Sequence, residues 1–74
     1  MKTKVLKIIN SIRSTKELQP LTNLDDEDKL REDLGFNSFD LAEFTVKIED
    51  EFDIDIFEDG LVSTIGEIYA KLSK

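Results

Sequence analysis

The sequence predicts a small all-helical domain, and three observations predict it. Apolar residues recur at helical spacing in three segments. Capping residues stand where the second and third of those segments begin. No stretch alternates with period two for long enough to pair as a strand.

The first segment carries Val5, Ile8, Ile9 and Ile12 at i, i+3, i+4 and i+7, one face of an amphipathic helix with Thr3 as its expected N-cap. The pattern fades by Ser14–Thr15, and Pro20 stops any continuation through Gln19. Residues from about 16 to 36 read as a long loop with Leu18, Leu21, Leu24, Leu30 and Leu34 as anchors. A loop of that length in a small domain points to function.

The strongest helix runs from Ser38 to Phe52. Projected at about 100° per residue, Leu41, Phe44, Ile48 and Phe52 form its core face. Phe39, Ala42 and Val46 fall on nearly the opposite side, beside Glu43, Glu49 and Asp50. A monomeric domain needs one apolar stripe. The second, with its acidic rim, reads either as a partner-docking face or as incidental surface residues.

Asp53 to Asp59 is irregular, with Ile54, Ile56 and Phe57 as apolar plugs and a short helical turn expected near Glu58 to Leu61. The last helix opens on Thr64-Ile65-Gly66-Glu67, the spacing of a capping box, and its apolar face is Ile65, Ile68, Tyr69 and Leu72.

The totals bound the function. Seventy-four residues make one domain, spanning 1–74. Folding at this size hides only roughly 60% of the chain's surface, so a deep catalytic cleft would compete with the core. There is no Cys and no His, which removes disulfides, thiolate nucleophiles and imidazole chemistry. No apolar run approaches the roughly 20 residues of a membrane span, and the opening segment lacks the apolar stretch of a secretory signal. A cytoplasmic monomer is the expectation.

The net charge of −7 is unevenly placed: +4 over residues 1–24, −12 over 25–59 and +1 from 60 onward. The acidic middle repels nucleic acid and favours a basic protein surface as partner. It does not make a calcium loop. Asp53-Ile54-Asp55-Ile56-Phe57-Glu58 puts Phe57 where a ligand is needed and Glu58 where glycine is needed. Asp25-Asp26-Glu27-Asp28 has no glycine turn. No metal site and no catalytic set is expected.

What remains is Asp33-Leu34-Gly35-Phe36-Asn37-Ser38-Phe39-Asp40. Gly35 permits a turn with positive φ, and either Asn37 or Ser38 suits the N-cap. On those grounds Ser38 is an ordinary helix start. The same position presents unpaired N–H groups and the positive end of the helix dipole, which would stabilise a phosphate attached there.

Asp33-Leu34-Gly35-x-Asn37-Ser38-x-Asp40, with Glu43 and Ile48-Glu49-Asp50-Glu51-Phe52, resembles the acyl carrier protein family over nearly the whole chain. The resemblance implies an all-α four-helix bundle, three main helices plus a short third one, with a long loop after the first. It implies 4′-phosphopantetheine, taken from coenzyme A onto Ser38, with its thiol carrying an acyl group as a thioester. The cofactor then brings the sulfur that the chain lacks. The implied partners are a phosphopantetheinyl transferase and acyl-processing enzymes with basic docking surfaces. Phe39, Ala42, Glu43, Val46, Glu49 and Asp50 would meet them. A free acyl chain would enter among Phe44, Ile48, Ile56, Ile65 and Ile68.

The chain departs from the family in places. Asn37-Ser38-Phe39 stands where Asp-Ser-Leu is common, Lys47 interrupts the acidic helix, and Phe57 stands where proline is frequent. Two other expectations follow: a carrier for an aminoacyl or D-alanyl group, and an interaction domain of the same fold that bears no arm.

Overall fold

The computed structural model describes residues 2–58, 60 and 62–73. It contains α1 (Lys2–Thr15), α2 (Ser38–Phe52) and α3 (Ile65–Leu72). Among the described residues no strand forms; Lys29 and Thr64 make an isolated antiparallel bridge.

Each helix buries the face its periodicity marks. Val5, Ile9 and Ile12 of α1 meet Phe44 and Ile48 of α2 and Ile65, Ile68 and Tyr69 of α3 in one core. Leu41, Phe52 and Leu72 lie at its margin, half-buried. Each fully buried aliphatic or aromatic side chain contributes about 1.5–3 kcal/mol, so these stripes supply most of the cohesion.

α1 begins one residue earlier than Thr3 can cap. The chain is already helical at Lys2, whose ammonium sits 5.2 Å from the centroid of the Tyr69 ring. Its far end is closed by bonds from the N–H groups of Lys16 and Leu18 to the Arg13 carbonyl, with Glu17 in the left-handed region at φ 61°.

The connection from 16 to 36 is long, and it is stitched to α1 by side chains. The Asn10 amide donates to the Leu21 carbonyl and accepts from the Leu21 N–H, mimicking a strand partner. Arg13 donates to the carbonyls of Gln19 and Leu34. Leu30 and Leu34 are buried, and Leu21 and Leu24 are half-buried, as anchors should be. Leu18 stays nearer the surface, at 38% exposure, and stands over Gly35 rather than in the core: its Cδ1 would be 3.4 Å from a Cβ built there. Phe36, absent from the expected anchors, is buried instead, its ring centroid 5.8 Å from that of Phe44.

α2 ends at Asp53, which takes a left-handed cap at φ 59° and donates its N–H to the Glu49 carbonyl. Beyond it Ile56 is fully buried and Ile54 and Phe57 are half-buried. The segment that begins the expected short helix is a turn. Asp55 Oδ1 accepts from the Phe57 N–H, and the Asp55 carbonyl accepts from Glu58. The expected helix ends on residues, Asp59 and Leu61, outside the described set. Among the described residues the helices therefore number three.

Candidate functional site

Gly35 begins the site. It sits at φ 77°, a conformation that side-chain-bearing residues adopt only with strain. The turn releases Phe36 into the core and delivers Asn37 to the start of α2. Asn37, not Ser38, is the N-cap. Its side-chain oxygen accepts from the Asp40 N–H at 2.9 Å, and Asp40 Oδ2 accepts from the Asn37 N–H at 2.9 Å. Ser38 is thereby the first helical residue, with its side chain exposed.

Asp40 does more than close the capping box. It is 8% exposed and pairs with Lys16 at 2.6 Å. Lys16 also donates to the Gly35 carbonyl. One ammonium thus ties the end of α1 to both sides of the Gly35 turn. Burial pushes the Asp40 carboxyl up, but the hydrogen bond from Lys16, the Asn37 N–H and the Lys16 charge together outweigh it, so it sits below its ordinary value. Residues 16 and 40 are too far apart in sequence for any local pattern to reveal this pair. A charged residue on the inner side of an acidic helix was the available signal.

The other acid of the motif is also occupied. Asp33 Oδ2 accepts from the Lys29 N–H at 2.7 Å, closing the turn that precedes Gly35. Neither carboxylate is hydrogen-bonded to Ser38. The polar group at the serine is Arg31, whose Nη2 lies 3.3 Å from Ser38 Oγ. Sequence reading missed Arg31, because its approach depends on the turn at 31–34.

Ser38 differs from the other serines that carry a hydrogen bond. Ser11 and Ser73 donate to helix carbonyls and Ser63 to Glu67, whereas Ser38 Oγ receives from Arg31. Its proton is therefore not committed to a protein acceptor among the described residues. Arg31 cannot take that proton, since guanidinium stays charged at any ordinary pH. The hydroxyl is accessible but not self-activating, and a reaction at Ser38 needs a base from outside.

The outer face of α2 is open. Phe39 is 86% exposed and Val46 57%, and Ala42, Glu43, Glu49 and Asp50 are exposed alongside them. Lys47 reaches Glu43 at 3.9 Å, a surface i,i+4 pair of small energetic weight. The six residues expected to meet partners thus share one accessible surface with Ser38 at its head. The five residues expected to line an acyl cavity, Phe44, Ile48, Ile56, Ile65 and Ile68, are all fully buried in the core. A separate hollow of about 170 Å³ is lined by Leu30, Arg31, Glu32, Leu41, Phe57, Val62 and Ser63.

Ser38 is thus an exposed serine at the head of a capped helix in a small helical domain. In comparison with known families, residues 5–72 match the phosphopantetheine attachment site. The chain belongs to that family, whose domains bear a covalent 4′-phosphopantetheine and serve as carriers. The same comparisons find no match among curated proteins or among solved structures. Among the described residues, no helix is long and apolar enough to cross a membrane.

Proposed function

We propose that this chain is an acyl carrier protein that takes its arm on Ser38 and carries acyl intermediates for fatty acid or polyketide-type biosynthesis. The observation that carries the reading is the Ser38 hydroxyl, exposed at the first residue of α2 and hydrogen-bonded to a cation rather than to an acceptor. When bound, the arm supplies a thiol, the chemistry that a chain without cysteine lacks.

The protein's own residues do the rest. Asn37 and Asp40 fix the start of α2, and Gly35 aims it. Glu43, Glu49 and Asp50 attract a basic partner surface, while Phe39, Ala42 and Val46 set the register of docking. The hollow lined by Arg31 and Leu41 shelters part of a short acyl chain. At about 170 Å³ it falls below the roughly 300–1,000 Å³ of ordinary ligand pockets. The reading also takes the 74 residues as one domain, acting as a cytoplasmic monomer. It includes the four-helix bundle, with the turn at 56–58 beginning the short additional helix; amide chemical shifts over 56–61 test that part.

The decisive experiment is intact mass after incubation with a phosphopantetheinyl transferase and coenzyme A. A gain equal to one arm on the natural chain, and none on Ser38→Ala, is expected. No gain with several transferases would instead point to an unmodified interaction domain.

A further inference from the structure

We propose that Arg31 is a positioning residue for the arm: its guanidinium holds the phosphodiester that joins the arm to the protein. The inference rests on Ser38 as the attachment point and adds a residue that the family match does not assign.

The start of α2 suits a phosphate on its own geometry. A helix leaves its first N–H groups without intrahelical acceptors. Here the capping box uses those of Asn37 and Asp40. Those of Ser38 and Phe39 have no acceptor among the described residues. These donors flank the oxygen that becomes part of the phosphodiester. The carboxylates that would repel an anion are turned elsewhere, Asp33 to the Lys29 N–H and Asp40 to Lys16.

Arg31 completes the set. Its Nη2 is already 3.3 Å from Ser38 Oγ, so an ester oxygen and the phosphoryl oxygens beyond it fall within reach of the same guanidinium. The planar fork can engage two oxygens at once. The two cations that hold the Gly35 turn are committed: Arg13 to the carbonyls of Gln19 and Leu34, Lys16 to Gly35 and Asp40. Among the described residues Arg31 has the Ser38 hydroxyl as its hydrogen-bond partner and no carboxylate. Its charge is available where the new negative charge arrives, in a segment that already carries −12 over residues 25–59.

The test compares the natural chain with Arg31→Gln and Arg31→Lys, each before and after loading, with intact mass confirming the state. Two readouts do not depend on partner enzymes: the phosphorus NMR resonance of the diester across a salt series, and urea unfolding of both states. At low salt the resonance of Arg31→Gln should be displaced from that of the natural chain, and the two should converge as salt screens the pair. The ratio of the unfolding constants of the loaded and unloaded states should differ by about 2- to 5-fold between the natural chain and Arg31→Gln, the range of an exposed ion pair. Arg31→Lys should restore part of it, keeping the charge but not the fork. Identical resonances and identical ratios would overturn the proposal. So would slower loading of Arg31→Gln with both readouts unchanged, which assigns Arg31 to the transferase encounter alone. A loaded chain indifferent to Arg31 defeats only this inference; a natural chain that never loads defeats it together with Ser38.

Discussion

α2 and α3 begin with the same device and end up with different surfaces. Both open on a capping box, Asn37 with Asp40 in one and Thr64 with Glu67 in the other. In α3 the two remaining N–H groups are also taken: Ile65 donates to the Asp28 carbonyl and Gly66 to the Asp26 carbonyl. The loop is thus sewn onto the start of α3, and that end is chemically finished. In α2 the equivalent donors, on Ser38 and Phe39, have no acceptor among the described residues, and a guanidinium stands beside them. A helix start that serves the fold spends all of its donors internally. On the function proposed above, the start of α2 holds two of them back for a ligand.

The sharpest way to break the contrast is Ser38→Ala. It should abolish loading entirely, read by intact mass, while shifting stability by no more than about 0.5 kcal/mol, because the side chain is exposed. Gly66→Val should do the reverse. A Cβ at Gly66 would lie 3.1 Å from both the Cβ and the carbonyl oxygen of Asp26, so the loop must give by a few tenths of an ångström, and the valine methyls add to the crowding. Urea unfolding should show a loss of about 1–3 kcal/mol with loading retained. Asp40→Ala removes half of the α2 capping box and leaves Lys16 without its carboxylate, for a loss of about 1–2 kcal/mol by the same measurement.

Phe39→Glu probes the open end from the partner's side. Binding to an acyl-processing enzyme, measured by titration, should weaken about tenfold with the unfolding midpoint unchanged. The smallest effect is in acid. The hydrogen bonds from Ser63 and Thr64 hold Glu67 below its ordinary 4.5, as Lys16 and Asn37 hold Asp40 below 3.8. A lowered folded-state value means the stabilisation is complete above the ordinary value and is lost as pH falls through the lowered one. Stability should therefore decline below about pH 4.5 as both boxes protonate. Asp40→Asn should flatten the lower part of that decline.

The helices were legible because their information is local. The limits of α2 follow from Asn37, Ser38 and the stripe through Phe44 and Ile48, and the α3 capping box can be read from four consecutive residues. The outward position of Phe39, Ala42 and Val46 follows from the same projection. What escaped is long-range. Asn10 with Leu21, Lys16 with Asp40, and Arg31 with Ser38 are partners that periodicity cannot match, because it names faces rather than the residues that meet them. Phe36 escaped for a related reason: it is buried by the Gly35 turn, outside any repeating pattern. The hollow lined by Arg31 and Leu41 is likewise long-range, since loop residues and α2 close it together.

The bonds just ahead of Ser38 have a mechanical meaning. Leu34 is held through its carbonyl by Arg13, Gly35 through its carbonyl by Lys16, and Phe36 through its N–H by the Leu30 carbonyl. Three successive residues are clamped, and the fourth, Asn37, is locked in the capping box. On the function proposed above, a tether fixed at Ser38 would swing from a stationary pivot. Its sweep would be set by its own length and joints, and the direction in which it could deliver a load by how a partner gripped α2.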